Sequence, residues 1–282
     1  CQTFPQAVKL DRNHISEVFA MRRICVLALC TVLALLPQLS AQEAKKEPKA
    51  GEEREFEIFK GVKMKFCWVP SGKATLGSLL GEKGRFDIER EHDYETKGFW
   101  LGKYEVMQAE WKGVMGNEPS HFKGAQLPVE RVSWDDCQKF IEKCKVTGLK
   151  VKLPHEDEWE YACRGGKGNK QPFYWGDTLN GDKANCDGTR PYGTEVKGPS
   201  LRKTTEVGSY EKLAPHPWGL CDMHGNVWEW CDNLFSKESG ARVLRGGSWY
   251  FDSTSCRAAA RISHSPDIGI FSYGFRVCLV LD

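Results

Sequence analysis

The sequence has little excess of either charge. Its 282 residues carry 40 Lys and Arg against 38 Asp and Glu, a formal balance of +2. Without a basic excess to neutralise phosphates, nothing argues for a nucleic-acid partner. No Cys-x-x-Cys pair occurs, which argues against a zinc ribbon or a thioredoxin-type site. The seven His show neither His-x-x-x-His nor His-x-His spacing, so no His metal site is signalled. No repeat of fixed period appears. The apolar run Ile24 to Leu36 covers only 13 residues, whereas a bilayer span needs about 20.

What is present is an ordinary globular composition. Hydrophobic residues make up 40%, and 28 Gly bring the share to about half. That excludes disorder of the whole chain. Ten Trp and twelve Cys stand out. So many Trp and Gly fit a loop-rich fold pinned by large aromatic side chains rather than a helical bundle.

The first Met is Met21. Arg22 and Arg23, the apolar run and the small residue of Leu39-Ser40-Ala41 read as a secretory signal peptide over 21–41. Two alternatives stay open. One is a buried N-terminal helix. The other is a lipoprotein acylated at Cys30, although Leu29 is large for the preceding position. Residues 1–20 read as an upstream or mis-called segment, 42–54 as a charged linker, and 55–282 as the folded domain. Export implies a secreted or periplasmic protein with no membrane span after cleavage, in a setting where disulfides persist. Removing the leader removes Cys1, Cys25 and Cys30, which leaves nine cysteines, 12 − 3 = 9. An odd number cannot pair fully within one chain.

Partial alternation predicts strands at Phe56–Phe59, Met64–Val69 and Phe99–Val106. The charged, glycine-containing stretch from Leu79 to Thr96 reads as a loop. Gln108 to Met115 predicts a short helix ended by Gly116. Ser133 predicts a helix start capped through the Asp136 N–H, with Phe140, Ile141 and Cys144 on its buried face. Cys137 and Cys144 are too far apart on that helix to bridge. Glu156 to Cys163 predicts another helix, its first turn loaded with acid. Turns follow to Val207. Short strands are expected around Trp228–Cys231, Val243–Tyr250 and Phe275–Val280. The fold class is α+β, one domain with long irregular connections.

Several blocks are more specific. They include Gly98-Phe99-Trp100-Leu101-Gly102-Lys103-Tyr104-Glu105-Val106, Pro128-Val129-Glu130-Arg131-Val132-Ser133-Trp134, and Leu153-Pro154-His155-Glu156-Asp157-Glu158-Trp159-Glu160-Tyr161-Ala162-Cys163-Arg164-Gly165-Gly166. Later come Gly219 to Trp230, Leu244-Arg245-Gly246-Gly247-Ser248-Trp249 and Gly274-Phe275-Arg276. Their order and spacing resemble the formylglycine-generating enzyme family, the sulfatase-modifying factors, from about Phe66 to Val280. The resemblance implies a single C-type-lectin-like domain with low regular secondary structure.

It also implies oxidation of a cysteine to formylglycine in a Cys-x-Pro-x-Arg segment of a sulfatase. That chemistry uses molecular oxygen and copper(I) on two cysteines, three and eight residues after the Ser of Gly-Gly-Ser. Those positions are Phe251 and Cys256 here. Thiolates select copper(I) and Phe cannot ligate, so copper is not expected to bind as it does in the active members. Cys256 also fits a buried thiol or one half of a disulfide. Ser248 is the other candidate catalytic residue.

By the same resemblance, calcium is expected on Asp222, the carbonyls of Gly225 and Val227, and Glu229. These are oxygen ligands suited to a hard cation. The alternative there is that Asp222 caps a turn and Glu229 pairs with an Arg. A second calcium site starts at Asn185 and the Cys186 carbonyl, and lacks its closing Asp. Trp228, Trp249 and Arg276 match the substrate groove or its floor, with core packing as the plainer reading. His224 reads as a packing or hydrogen-bonding residue. Met107 and His155 stand where the family commonly has Thr. Two functions follow: an exported oxidase acting on a partner protein such as a sulfatase, or a non-catalytic module holding a peptide or glycan.

Overall fold

The computed structural model describes residues 47–281. The segments 1–20 and 21–41, and the first five residues of the charged linker, lie outside the described residues. Residues 48–282 form one unit.

The main sheet has five strands in the order β1-β2-β5-β11-β6. They are β1 (Glu53–Phe59), β2 (Val62–Val69), β5 (Phe99–Gly102), β6 (Leu149–Lys152) and β11 (Cys278–Leu281). All pairings in it are antiparallel. Order begins earlier than the linker boundary at 54 suggests. Gly51 N donates to Trp68 O, and Trp68 N donates to Glu52 O, both at 2.9 Å, so β1 starts at Glu53.

A four-stranded sheet runs β10-β7-β8-β9, from β7 (Trp228–Leu234), β8 (Arg242–Arg245), β9 (Arg261–His264) and β10 (Tyr273–Gly274). A third, two-stranded sheet pairs β3 (Gly72–Leu76) with β4 (His92–Thr96). β4 falls inside the stretch read as a loop. Its sequence His-Asp-Tyr-Glu-Thr is polar on both faces, so periodicity gives no strand signal there, and pairing with β3 creates it.

The three helices sit where the sequence puts them. They are α1 (Gln108–Met115), α2 (Trp134–Lys143) and α3 (Glu156–Cys163). Ser133 Oγ accepts from Asp136 N at 3.1 Å. Met107 has no side-chain cap. Glu110 reaches back instead, and its carboxylate accepts from Met107 N at 2.8 Å. His155 Nδ1 accepts from Asp157 N at 3.1 Å, taking over the role of a capping hydroxyl. Trp111 stacks on Phe140, and both meet the edge of Phe275, which joins α1 and α2 to the core.

A long stretch without regular strands connects α3 to β7, as expected. Backbone at positive φ shapes it, including non-glycine Asp222 (φ 56°) and Asn226 (φ 61°). Such conformations cost energy for L-residues and persist where the surroundings fix them.

Candidate functional site

Two loops meet beside the four-stranded sheet. One holds Asn185 to Arg190. The other runs from Ser248, just after β8, to Cys256. Asp187 N donates to Phe251 O at 2.9 Å, and Asp187 and Asp252 form a parallel bridge. Above this contact lies an open groove of about 650 Å³, lined by Asp187, Arg190, Arg202, Trp249, Tyr250 and Phe251. That volume is typical of a ligand site. Asp187 accepts from Arg190 Nε at 2.8 Å. With its Thr189 contacts, this holds the Asp187 carboxyl down at about 2.

Phe251 stands in the groove wall. Its ring packs edge-on against Trp228 and Tyr250, each with centroids 5.7 Å apart. Cys256 is fully buried and does not line the groove. The two positions expected to hold copper therefore carry a hydrocarbon ring and an inward sulfur, and this pair does not fit the metal. Beside Cys256 stands Cys186. The Cys256 thiol donates a hydrogen bond to Cys186 Sγ, and Ser253 Oγ lies 3.3 Å from the same sulfur. Those contacts hold the Cys186 thiol below its usual range. The same bond pushes Cys256 up. Both side chains are buried.

Ser248 is buried, and its Oγ accepts from Tyr250 N at 3.4 Å, shaping the turn. Of the three expected groove residues, only Trp249 lines the groove. Trp228 is core and touches the groove only through Phe251. Arg276 lies far from solvent. Its Nε and Nη2 donate to Glu229 Oε2 and Oε1 at 2.6 and 2.7 Å, and its remaining donors take the carbonyls of Gly102, Lys103 and Cys221. A buried guanidinium needs a full set of acceptors, and only the interior supplies them here.

Glu229 also accepts from Trp159 Nε1 at 2.8 Å. The plainer alternative for it, pairing with an Arg, is what the structure contains. Asp222 accepts from Gly208 N at 2.5 Å. Near these stands Glu105, which composition and spacing did not single out. It accepts from Asn226 Nδ2 at 2.8 Å and Val227 N at 3.2 Å. Its signal was a lone acid in the apolar block 98–106. Two buried carboxyls, Glu105 and Glu229, and the part-buried Asp222 thus share one arginine. Burial and mutual repulsion push Glu105 up. Burial lifts Asp222 to about 6. Next to them, Asn185 Oδ1 and Thr204 Oγ1 are buried without a hydrogen-bond partner. Asn185 Nδ2 meanwhile donates to Lys203 O and Asn226 Oδ1. The Cys186 carbonyl accepts from Gly188 N at 3.0 Å.

His224 is buried, with Nδ1 2.7 Å from Cys256 O. Burial drops it to about 3, so it stays neutral at physiological pH. Among the described residues, no group of three His, Cys, Asp or Glu side chains is arranged for a metal ion. No described helix is long and apolar enough to cross a membrane.

Residues 57–280 match the family model of the sulfatase-modifying factor enzyme 1-like domain. The chain belongs to this family. It is similar to the chaperone protein LppX of Paenibacillus barcinonensis, 30% identical over 234 residues covering 64% of this chain and 81% of that one. It is 34% identical to a formylglycine-generating enzyme of Streptomyces coelicolor over 200 residues, 63% of this chain and 60% of the relative. It is 31% identical to a Bos taurus protein named inactive C-alpha-formylglycine-generating enzyme 2 over 186 residues, 63% of this chain and 58% of the relative. The chain thus spans somewhat over half the length of these two relatives. Among solved structures, PvdO from Pseudomonas aeruginosa superposes with a TM-score of 0.67 at 23% identity, over 83% of this chain and all of that one. The fold is that of the formylglycine-generating enzymes, a C-type-lectin-like architecture.

Proposed function

We propose that this chain is a non-catalytic member of its family, an exported module that holds an extended segment of a partner protein in the groove. One observation carries this reading. Phe251 fills the position at which the family chemistry needs a thiolate, and Cys256 is turned away from the groove. Family membership does not decide the matter, since relatives of similar identity are named both as formylglycine-generating enzymes and as inactive.

The groove chemistry suggests the partner segment. Arg202 makes no ion pair among the described residues, whereas Arg190 is already paired with Asp187 and Asp252. Half-exposed Tyr250 offers an aromatic face beside the largely buried Trp249. An acidic side chain beside an apolar one satisfies both features. A neutral glycan would use the aromatic face and leave Arg202 without a role.

Calcium is part of the same reading. Asp222, the Gly225 and Val227 carbonyls and Glu229 would hold one ion, and Asn185 with the Cys186 carbonyl a second. The surplus of buried carboxyls over Arg276 and the orphaned Asn185 Oδ1 support it. A bound cation supplies positive charge to those oxygens and ties the 222–229 loop to its neighbours.

The test uses the full chain, a Cys-x-Pro-x-Arg peptide, oxygen and copper(I), read by mass spectrometry. The expected result is an unmodified peptide. An aldehyde product would overturn the reading and assign the chain to oxidation of a partner cysteine, as in a sulfatase.

A further inference from the structure

We propose that Cys186 and Cys256 form a reversible disulfide that staples the floor of the groove. The two sulfurs come together through specific backbone arrangements. The Asp187–Asp252 bridge sets the two chain segments side by side one residue beyond Cys186. The short 3-10 turn Ser253–Cys256, capped by Asp252 accepting from Ser255 N, then brings Cys256 back against Cys186. Gly247 seals the pocket from below, since a Cβ there would lie 2.5 Å from Cys256 Sγ. Cys186 and Cys256 lie in one small buried cluster, and their thiols are hydrogen-bonded to each other.

The chemistry is poised for exchange. Cys186 and Cys256 share one buried cluster, with Ser253 Oγ 3.3 Å from Cys186 Sγ, and exchange can begin at Cys186. Its thiolate attacks a low-molecular-weight disulfide such as oxidised glutathione, forms a mixed disulfide and releases one thiol. Cys256 then attacks Cys186 Sγ and releases the second. Two protein thiols lose two electrons and two protons, and the oxidant gains both as two thiols. Burial of both sulfurs means that exchange takes place during folding or through local opening of the 185–190 loop.

The consequence reaches the groove. Oxidation would fix Asp187, which holds Arg190, relative to Phe251. The calcium and partner-binding readings are not needed for this inference.

The test refolds the reduced full chain in a glutathione redox buffer, blocks free thiols with N-ethylmaleimide and maps the digest. The expected product is one linked peptide pair containing Cys186 and Cys256. The closed loop spans about 70 residues, and its Tm should exceed that of the dithiothreitol-reduced protein by roughly 5–10 °C. Cys186→Ser and Cys256→Ser should each abolish the link and the redox-dependent shift. The mapping on wild-type protein stands even if a variant fails to fold. Recovery of both residues as alkylated thiols under oxidising buffer overturns the proposal. So does a link from Cys256 to Cys163, whose sulfur lies across His224.

Discussion

Arg276 grips Glu229 with two parallel hydrogen bonds, Nε to Oε2 at 2.6 Å and Nη2 to Oε1 at 2.7 Å, and neither side chain reaches solvent. The pair links β7 to the segment leading into β11. Arg276→Lys keeps the charge and loses the planar fork. Urea unfolding should show a loss of about 3–5 kcal/mol, the usual cost of breaking a buried pair. A loss below about 1 kcal/mol would mean that the pair does not brace these elements.

Glu110 gives a pH dependence with a definite sign. Burial raises its carboxyl from 4.5 to about 8, against the pull of the Met107 N–H. The folded state therefore keeps a proton that the unfolded state releases, so the contribution is complete below about 4.5 and is lost as pH rises to about 8. Glu110→Gln removes this loss. Relative to wild type, the variant should gain up to roughly 4 kcal/mol between these limits. Denaturation curves at pH 5, 6.5 and 8 measure it, and parallel pH profiles would contradict the assignment.

Calcium removal is a third test. Saturating calcium should raise Tm by roughly 5–10 °C, corresponding to about 2.7 kcal/mol at a hundredfold excess over Kd. EDTA should reverse the rise, and Asp222→Ala should abolish it. Asp222 holds its proton up to about 6, and a cation must displace that proton. Affinity should therefore increase with pH through 6. A Tm indifferent to EDTA would remove calcium from the account.

Gly247→Ala should be among the most damaging small substitutions. Gly247 has φ 78°, and an added Cβ would lie 2.5 Å from Cys256 Sγ, 2.9 Å from Cys256 Cα and 2.9 Å from Ser255 O. Positive φ and backbone overlap add, for an expected loss of about 2–4 kcal/mol in thermal or urea unfolding. Gly61→Ala serves as the comparison, because open space surrounds that position and only its φ of 76° opposes the change.

What could be read in the sequence was local. Ser133 and its Asp136 predicted a helix start because a cap needs only neighbours in the chain. The family blocks carried the fold for the same reason: each holds its own turn or strand. Long-range chemistry was hidden. The sequence marks Arg276 and Glu229 as separate motif residues, and nothing in their spacing tells that they grip each other away from the groove. Phe251 was legible only as a side chain that cannot ligate, at a position that the family resemblance assigns to copper. Cys186 drew notice for its carbonyl, while its sulfur acquires a partner only through the Asp187–Asp252 bridge. β4 escaped because an edge strand with polar residues on both faces is defined by its neighbour.

The place of β11 has a consequence for how the protein is made. Residues 278–281 insert between β5 and β6, with Cys278 facing Leu101 on one side and Lys152 on the other. During synthesis, β1, β2 and β5 can assemble early, but the ladder to β6 stays open until this segment is released. The domain therefore cannot ripen gradually from its N-terminal side. It closes late and all at once, and until then an unpaired edge on β5 must be kept from other chains.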